Sequence, residues 1–178
     1  VNERATITNM GAEMGATTSI FPADEQVRKF MKAQKREQDF VELTADEGCE
    51  YDEEMELNLS ELVPLCACPH QPDNVIPLKD VEKKKVQQVF IGSCTNASYS
   101  DIAKAALVFQ GRHVSEDVSC TCGISSKQIY LQLMKDGYLE MLMNAGVRLL
   151  ELACGPCCAI GQSPATKGVA VRTTNRNF

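Results

Sequence analysis

The chain has 178 residues, enough for one good hydrophobic core or one domain plus part of another. Its net charge of −6 and pI near 5.0 give no global attraction for nucleic acid or an anionic membrane. No apolar run approaches a transmembrane length, the opening Val-Asn-Glu-Arg-Ala is not a signal peptide, and nine cysteines, an odd number, fit thiols in a reducing compartment better than a disulfide framework.

The cytoplasm is therefore the expected location. The start on Val1 and the polar Asn-Arg-Asn-Phe at the other end are expected to mark an excised piece of a longer protein.

Taken in chain order, residues 1–22 are rich in small residues and glycine, and predict a short helix followed by a strand. Pro22-Ala-Asp-Glu opens a second helix, with Val27, Phe30 and Met31 on one face. Asp24 and Glu25 suit the positive end of its dipole. The acidic stretch 45–62 contains the alternation Met55, Leu57, Leu59 and predicts a short strand there. Residues 65–77 are studded with proline and read as irregular, and 79–85 as a charged linker. The expected organisation is thus 1–78 as the end of one αβ domain with a connecting segment, then the linker 79–85, then a second αβ domain over 86–178.

The second half alternates cleanly. A strand over 86–91 enters Gly92-Ser-Cys-Thr-Asn, and a helix follows over 99–109. A strand over 118–122, a helix capped by Ser125 or Ser126 through Met134, and a helix over 138–144 come next. A strand over 148–152 delivers the chain into Cys154-Gly-Pro-Cys157. This alternation implies a parallel sheet covered by helices, with ligands gathering beyond the carboxyl ends of its strands. Both cysteine motifs fall at that edge, so Cys94, Cys154 and Cys157 can be collected into one site.

Spacing alone leaves the use of those thiols open. A Cys-x-x-Cys serves as half a zinc site, a redox pair or a buried pair of small hydrophobes. Pro156 within the motif makes a rigid turn and Cys158 adds a neighbouring sulfur, but His70, His113 and Cys158 are unpersuasive as zinc ligands. Cys49, Cys66, Cys68, Cys120 and Cys122 read as buried small hydrophobes, and Cys66-x-Cys68 as too tight for a site. Three thiolates can also grip a cube-shaped iron–sulfur cluster at three corners, with the turn at 92–96 offering amides and hydroxyls to its sulfides. Asn9 and Glu13, four apart, share a face on a helical turn and suit proton transfer or water orientation as well as a solvated surface. Arg176 is either a carboxylate clamp or an ordinary surface arginine.

Together the motifs resemble the aconitase family of iron–sulfur hydro-lyases. The resemblance rests on four segments in family order: Thr6–Pro22, Ile91–Asp101, Cys154–Cys157 and Thr173–Phe178. It implies an α/β fold of three-layer parallel-sheet domains, here a fragment of a larger multidomain enzyme. It also implies that Cys94, Cys154 and Cys157 bind a [4Fe–4S] cluster and that Asn9 and Glu13 lie beside the substrate and the unligated iron. Asn175 would contact the cluster environment and Arg176 a substrate carboxylate. The implied reaction moves a hydroxyl between neighbouring carbons of a small hydroxy tri- or dicarboxylate by dehydration and rehydration.

Met-Gly-Ala-Glu-Met-Gly-Ala-Thr-Thr-Ser favours aconitate hydratase, hence the tricarboxylic acid cycle. The stretch Pro-His-Gln-Pro-Asp-Asn looks more like isopropylmalate-type members, and Cys-Ala-Ile-Gly-Gln after Cys157 is longer than the mitochondrial-type sequence. The alternatives are a 3-isopropylmalate dehydratase or homoaconitase large subunit, a non-catalytic iron-sensing module, and a zinc or thiol-redox role. Expected partners are the missing N-terminal region and a C-terminal swivel domain or small subunit, without nucleic acid or membrane. The isolated piece is expected to be inactive.

Overall fold

Helix formation begins at once: α1 covers Asn2–Asn9 and tightens into a 3-10 turn over Met10–Met14. The computed structural model describes residues 1–177, and Phe178, the last residue of the final motif, lies outside them. The chain divides into two units, Val1–Pro64 and Leu65–Phe178.

In the first unit Gly15 adopts a left-handed φ of 70° and ends the 3-10 turn. No strand follows, contrary to expectation; the extended chain finds one bridge only, between Ala23 and Leu43. Helix α2 spans Glu25–Ala33, and its N-cap is Asp24, whose carboxylate accepts from the amides of Gln26 and Val27. Pro22 therefore precedes the cap instead of occupying the first turn. Arg4 grips the same carboxylate through two bonds of 3.1 and 2.6 Å. That hydrogen bonding, aided by the two amides and opposed by partial desolvation, lowers the Asp24 pKa to about 2.

The alternation Met55, Leu57, Leu59 does not make a strand. All three side chains are exposed, Met55 at 92 %, and a 3-10 turn capped by Asn58 occupies Leu59–Glu61. An alternating pattern gains stability only from a pairing strand and a packed face, and neither is present here.

The second unit starts with a hairpin that the prolines disguise. Strands β1 (Leu65–Ala67) and β2 (Val75–Pro77) pair antiparallel, with Cys66 opposite Ile76. Its loop is closed by the Asn74 side chain, which donates to the Pro69 carbonyl at 2.9 Å, and by the Cys68 amide, which donates to the Asn74 carbonyl at 2.7 Å. Since the hairpin belongs to the second unit, the division falls at Pro64/Leu65 and not in the expected linker 79–85.

The αβ alternation then appears as β3 (Gln88–Gly92), α3 (Tyr99–Phe109), β4 (Ser119–Gly123), α4 (Lys127–Lys135), α5 (Tyr138–Asn144), β5 (Arg148–Leu149) and β6 (Ala170–Arg172). The sheet order is β5-β4-β3-β6, with every pairing parallel. Register sorts the side chains by face. Val89 opposite Cys120 and Ile91 opposite Cys122 pack into the core with Ile102, Ala106, Leu133, Leu139 and Leu142 of the three helices. Gln88, Phe90 and Thr121, also buried, occupy the other face, where Gln162 bonds both Arg148 and Ser119.

Cys120 and Cys122 are core residues, as their type suggested, and burial pushes the Cys122 thiol up to about 12. The helices begin on a Ser98–Asp101 capping box and a Ser126 cap. Strand β5 is shorter than expected, and β6, which the sequence pattern did not reveal, adds the edge beside β3.

Candidate functional site

The carboxyl end of β3 is forced into a sharp turn. Gly92 has φ 105°, and a Cβ there would lie 2.1 Å from the Gly123 carbonyl on β4, so only glycine fits. Ser93 follows at φ 135°, and its hydroxyl accepts from the amides of Thr95 (3.3 Å) and Asn96 (3.1 Å). This small turn presents Cys94 on the surface, with the Thr95 hydroxyl 3.6 Å from its sulfur.

The turn is also tied to the strand on its other side. Gly92 donates its amide to the Thr173 hydroxyl at 2.8 Å, and Asn96 Nδ2 donates to the Thr173 carbonyl at 2.8 Å. Thr173 in turn donates its amide to Phe90 at 3.0 Å. Two residues on, Asn175 and Arg176 are half-buried, and the Thr174 hydroxyl donates to the Arg176 carbonyl at 2.5 Å. Asn177 then donates its side-chain amide to the carbonyls of Cys68 (2.6 Å) and Gln71 (3.0 Å), fixing the segment against the hairpin.

The second cysteine motif folds as a 3-10 turn over Pro156–Cys158. Its ends close through Ile160 donating to Gly155 at 3.0 Å and Ala159 adopting φ 61°. Arg172 of β6 donates to the Cys157 carbonyl at 2.9 Å, which locks this turn to the sheet edge.

Cys94 and Cys154 are exposed, Cys157 is half-buried, and all nine cysteines are free thiols. The Cys157 thiol is pushed up first by burial and then by the nearby Cys154 and Cys94 thiols, with a smaller influence of Cys158. The structure thus brings Cys94, Cys154, Cys157 and Cys158 into one neighbourhood at the carboxyl edge of the sheet.

That neighbourhood has the donor set of an iron–sulfur centre. Among the described residues, no three His, Cys, Asp or Glu side chains are grouped to hold a single metal ion. Zinc requires its ligands to converge on one ion at roughly 2.3 Å for sulfur. Thiolates of a polynuclear cluster bind different irons and stand further apart, so three accessible thiols on two fixed turns fit the latter.

Asn9 and Glu13 belong to the first unit. Asn9 ends α1 and Glu13 lies in the following 3-10 turn, both exposed. The expected α-helical spacing of four is broken between them, so a shared face does not follow from it. His70 and His113 are exposed. Sequence reasoning missed Ser93, Asn96, Thr173 and Asn177 as positioning groups: Ser, Thr and Asn in loops carry no mark of which backbone they will reach. It also placed Cys66 and Cys68 among buried hydrophobes and Cys49 with them, whereas Cys49 is exposed and the other two are half-buried.

Among the described residues, no helix is long and apolar enough to cross a membrane. The profile of the Aconitase family (aconitate hydratase) matches residues 1–178. The 3-isopropylmalate dehydratase large subunit 2 of Archaeoglobus fulgidus is 43 % identical over all of this chain and 43 % of its own length. The 3-isopropylmalate dehydratase large subunit 1 of Thermotoga maritima is 37 % identical over 100 % of this chain and 43 % of its own. The methanogen homoaconitase large subunit of Methanocaldococcus jannaschii is 36 % identical over 98 % and 44 % respectively. The chain therefore spans less than half the length of these relatives. With a parallel α/β domain of this topology and a family match over its whole length, the chain belongs to the aconitase family.

Proposed function

We propose that this chain is the cluster-holding part of a hydro-lyase large subunit of the 3-isopropylmalate dehydratase or homoaconitase type. The observation that carries this reading is the neighbourhood of Cys94, Cys154 and Cys157, in a chain whose relatives bear those two names. The names favour this substrate class over citrate and isocitrate, which the Met-Gly-Ala-Glu segment had suggested. They also favour leaving the tricarboxylic acid cycle out of the reading.

In this proposal Cys94, Cys154 and Cys157 hold a [4Fe–4S] cluster as thiolates. When bound, such a cluster supplies an iron without a protein ligand, a Lewis acid for a substrate hydroxyl and carboxylate. The chain's own residues do the rest. Arg176, on a segment fixed by Asn177, neutralises a substrate carboxylate through its planar fork. Asn175 contacts the cluster surroundings. Glu13 moves a proton to or from the reacting carbon or hydroxyl, and Asn9 orients water or substrate. The remaining part of the large subunit and a small subunit complete the site, the enzyme works in the cytoplasm, and this piece alone does not turn over.

The test is turnover by the intact parent enzyme, with its small subunit, on 3-isopropylmalate, homocitrate and citrate in parallel. A preference for 3-isopropylmalate or homocitrate supports the reading. Hydration chemistry confined to citrate and isocitrate would return the protein to aconitate hydratase.

A further inference from the structure

Consecutive residues at the end of β6 touch both cysteine turns. Thr173 takes the Gly92 amide on its hydroxyl and the Asn96 side chain on its carbonyl, each at 2.8 Å, which ties down the turn of Cys94. Arg172, one step earlier, donates from its guanidinium to the Cys157 carbonyl at 2.9 Å. In the register Arg172 stands opposite Phe90 and shares its face, away from the helices. The crossover from β5 to β6 passes over that same face, because the two strands lie at opposite edges of the sheet and Gln162 within the crossover bonds Arg148 and Ser119. The cysteine turn at Pro156–Cys158 is part of this crossover and buries none of its own residues. Packing therefore gives its position little support, and a charge-assisted bond to its carbonyl is a substantial tie.

We propose that Arg172 is a positioning residue of the cluster cradle: it pins the Cys157 turn in place relative to Cys94 and supplies a fixed positive charge beside the thiolates. The pin follows from the bond itself, with Thr173 holding the other turn one residue away. The charge follows from the place of the guanidinium, which is half-buried and so less screened than at a free surface. Thiolate ligands bring negative charge to this spot, and net charge is one of the factors that set a cluster's reduction potential. A cation held there favours the more negative oxidation state and raises that potential.

The charge role rests on the cluster reading given above, whereas the pin does not, so the two are measured separately. Arg172→Met keeps an apolar stem and removes both the bond and the charge. Arg172→Lys keeps the charge on a more flexible stem, without the planar fork. A purely structural role for Arg172 would leave the potential indifferent to whether the replacement is charged.

Iodoacetamide labelling of the cluster-free chain, read by mass spectrometry, tests the pin. The half-buried Cys157 is expected to react about tenfold faster in Arg172→Met than in the parent, with the exposed Cys49 unchanged. Redox titration of the chain reconstituted with iron and sulfide tests the charge. In Arg172→Met the equilibrium should shift about tenfold toward the oxidised state, roughly 59 mV for one electron, while Arg172→Lys stays near the parent. Equal labelling of Cys157 in the parent and the methionine variant would overturn the pin. Equal potentials, or a lysine variant as low as the methionine one, would overturn the charge role. If only the methionine variant fails to assemble a cluster, the charge role is supported; if the lysine variant fails with it, the charge role is lost. A parent that takes up no iron and sulfide removes the cluster reading and the charge role together, and the labelling still decides the pin.

Discussion

Gly92 donates its backbone amide to the Thr173 hydroxyl at 2.8 Å, joining the turn that presents Cys94 to the segment that carries Arg176. Gly92 is buried, so its amide has no ready substitute partner. Thr173→Val should destabilise the second unit by about 1–3 kcal/mol, with Thr173→Ser close to the parent. Urea unfolding followed by circular dichroism measures both. Equal midpoints for the valine and serine variants would remove the hydroxyl from the account.

Gly92→Ala is a more severe test of the same turn. Its Cβ would meet the Gly123 carbonyl at 2.1 Å, and φ 105° is unfavourable to any side chain. The expected cost is about 3 kcal/mol or more, seen as loss of soluble protein or a sharply lower thermal midpoint. A variant as stable as the parent would mean that the β3–β4 approach is looser than described.

The helix that follows Cys94 depends on a reciprocal cap. Ser98 accepts from the Asp101 amide at 3.4 Å, and the Asp101 carboxylate accepts the Ser98 amide at 3.0 Å and its hydroxyl at 2.7 Å. Ser98→Ala should cost about 1 kcal/mol. The thermal midpoint should fall by roughly 3–6 °C, and an unchanged midpoint would show that α3 is held by packing alone.

Acid should loosen the first unit through Asp24. Its pKa lies at about 2 in the folded chain, below the ordinary carboxylate value of 3.8. The contribution is therefore fully present above the unfolded value and is lost as pH falls through the folded one. Between pH 5 and 2, roughly, the parent should lose more stability than Asp24→Asn, which keeps an acceptor for the α2 amides but no charge for Arg4. Identical acid profiles for the two proteins would exclude the Arg4–Asp24 pair as the cause.

Local signals made the second unit legible. The helix over 99–109 agrees with α3 residue for residue, because Ser98 and Asp101 mark its start and Ile102, Ala103 and Ala106 its buried face. Strands β3 and β4 were also expected, over 86–91 and 118–122, within one or two residues of Gln88–Gly92 and Ser119–Gly123. The hairpin β1–β2 was not, since its pairing is set by Asn74 reaching back to Pro69 across the loop, while the flanking prolines argue against strands. Residues 55–59 erred the other way, with alternation but no partner strand. At the site, the motifs identified the cysteines, but the network from Ser93 through Thr173 to Asn177 depends on β6, a strand of only three residues.

The central claim is that Cys94, Cys154 and Cys157 together hold an iron–sulfur cluster. Anaerobic reconstitution with iron and sulfide, followed by metal and sulfide analysis, tests it most directly when each thiol is replaced by alanine in turn. The parent should take up about four irons and four sulfides per chain. Each of Cys94→Ala, Cys154→Ala and Cys157→Ala should lose most of that iron, whereas Cys49→Ala should retain it. Uptake of zinc without iron or sulfide, or full iron in any of the three alanine variants, would contradict the account.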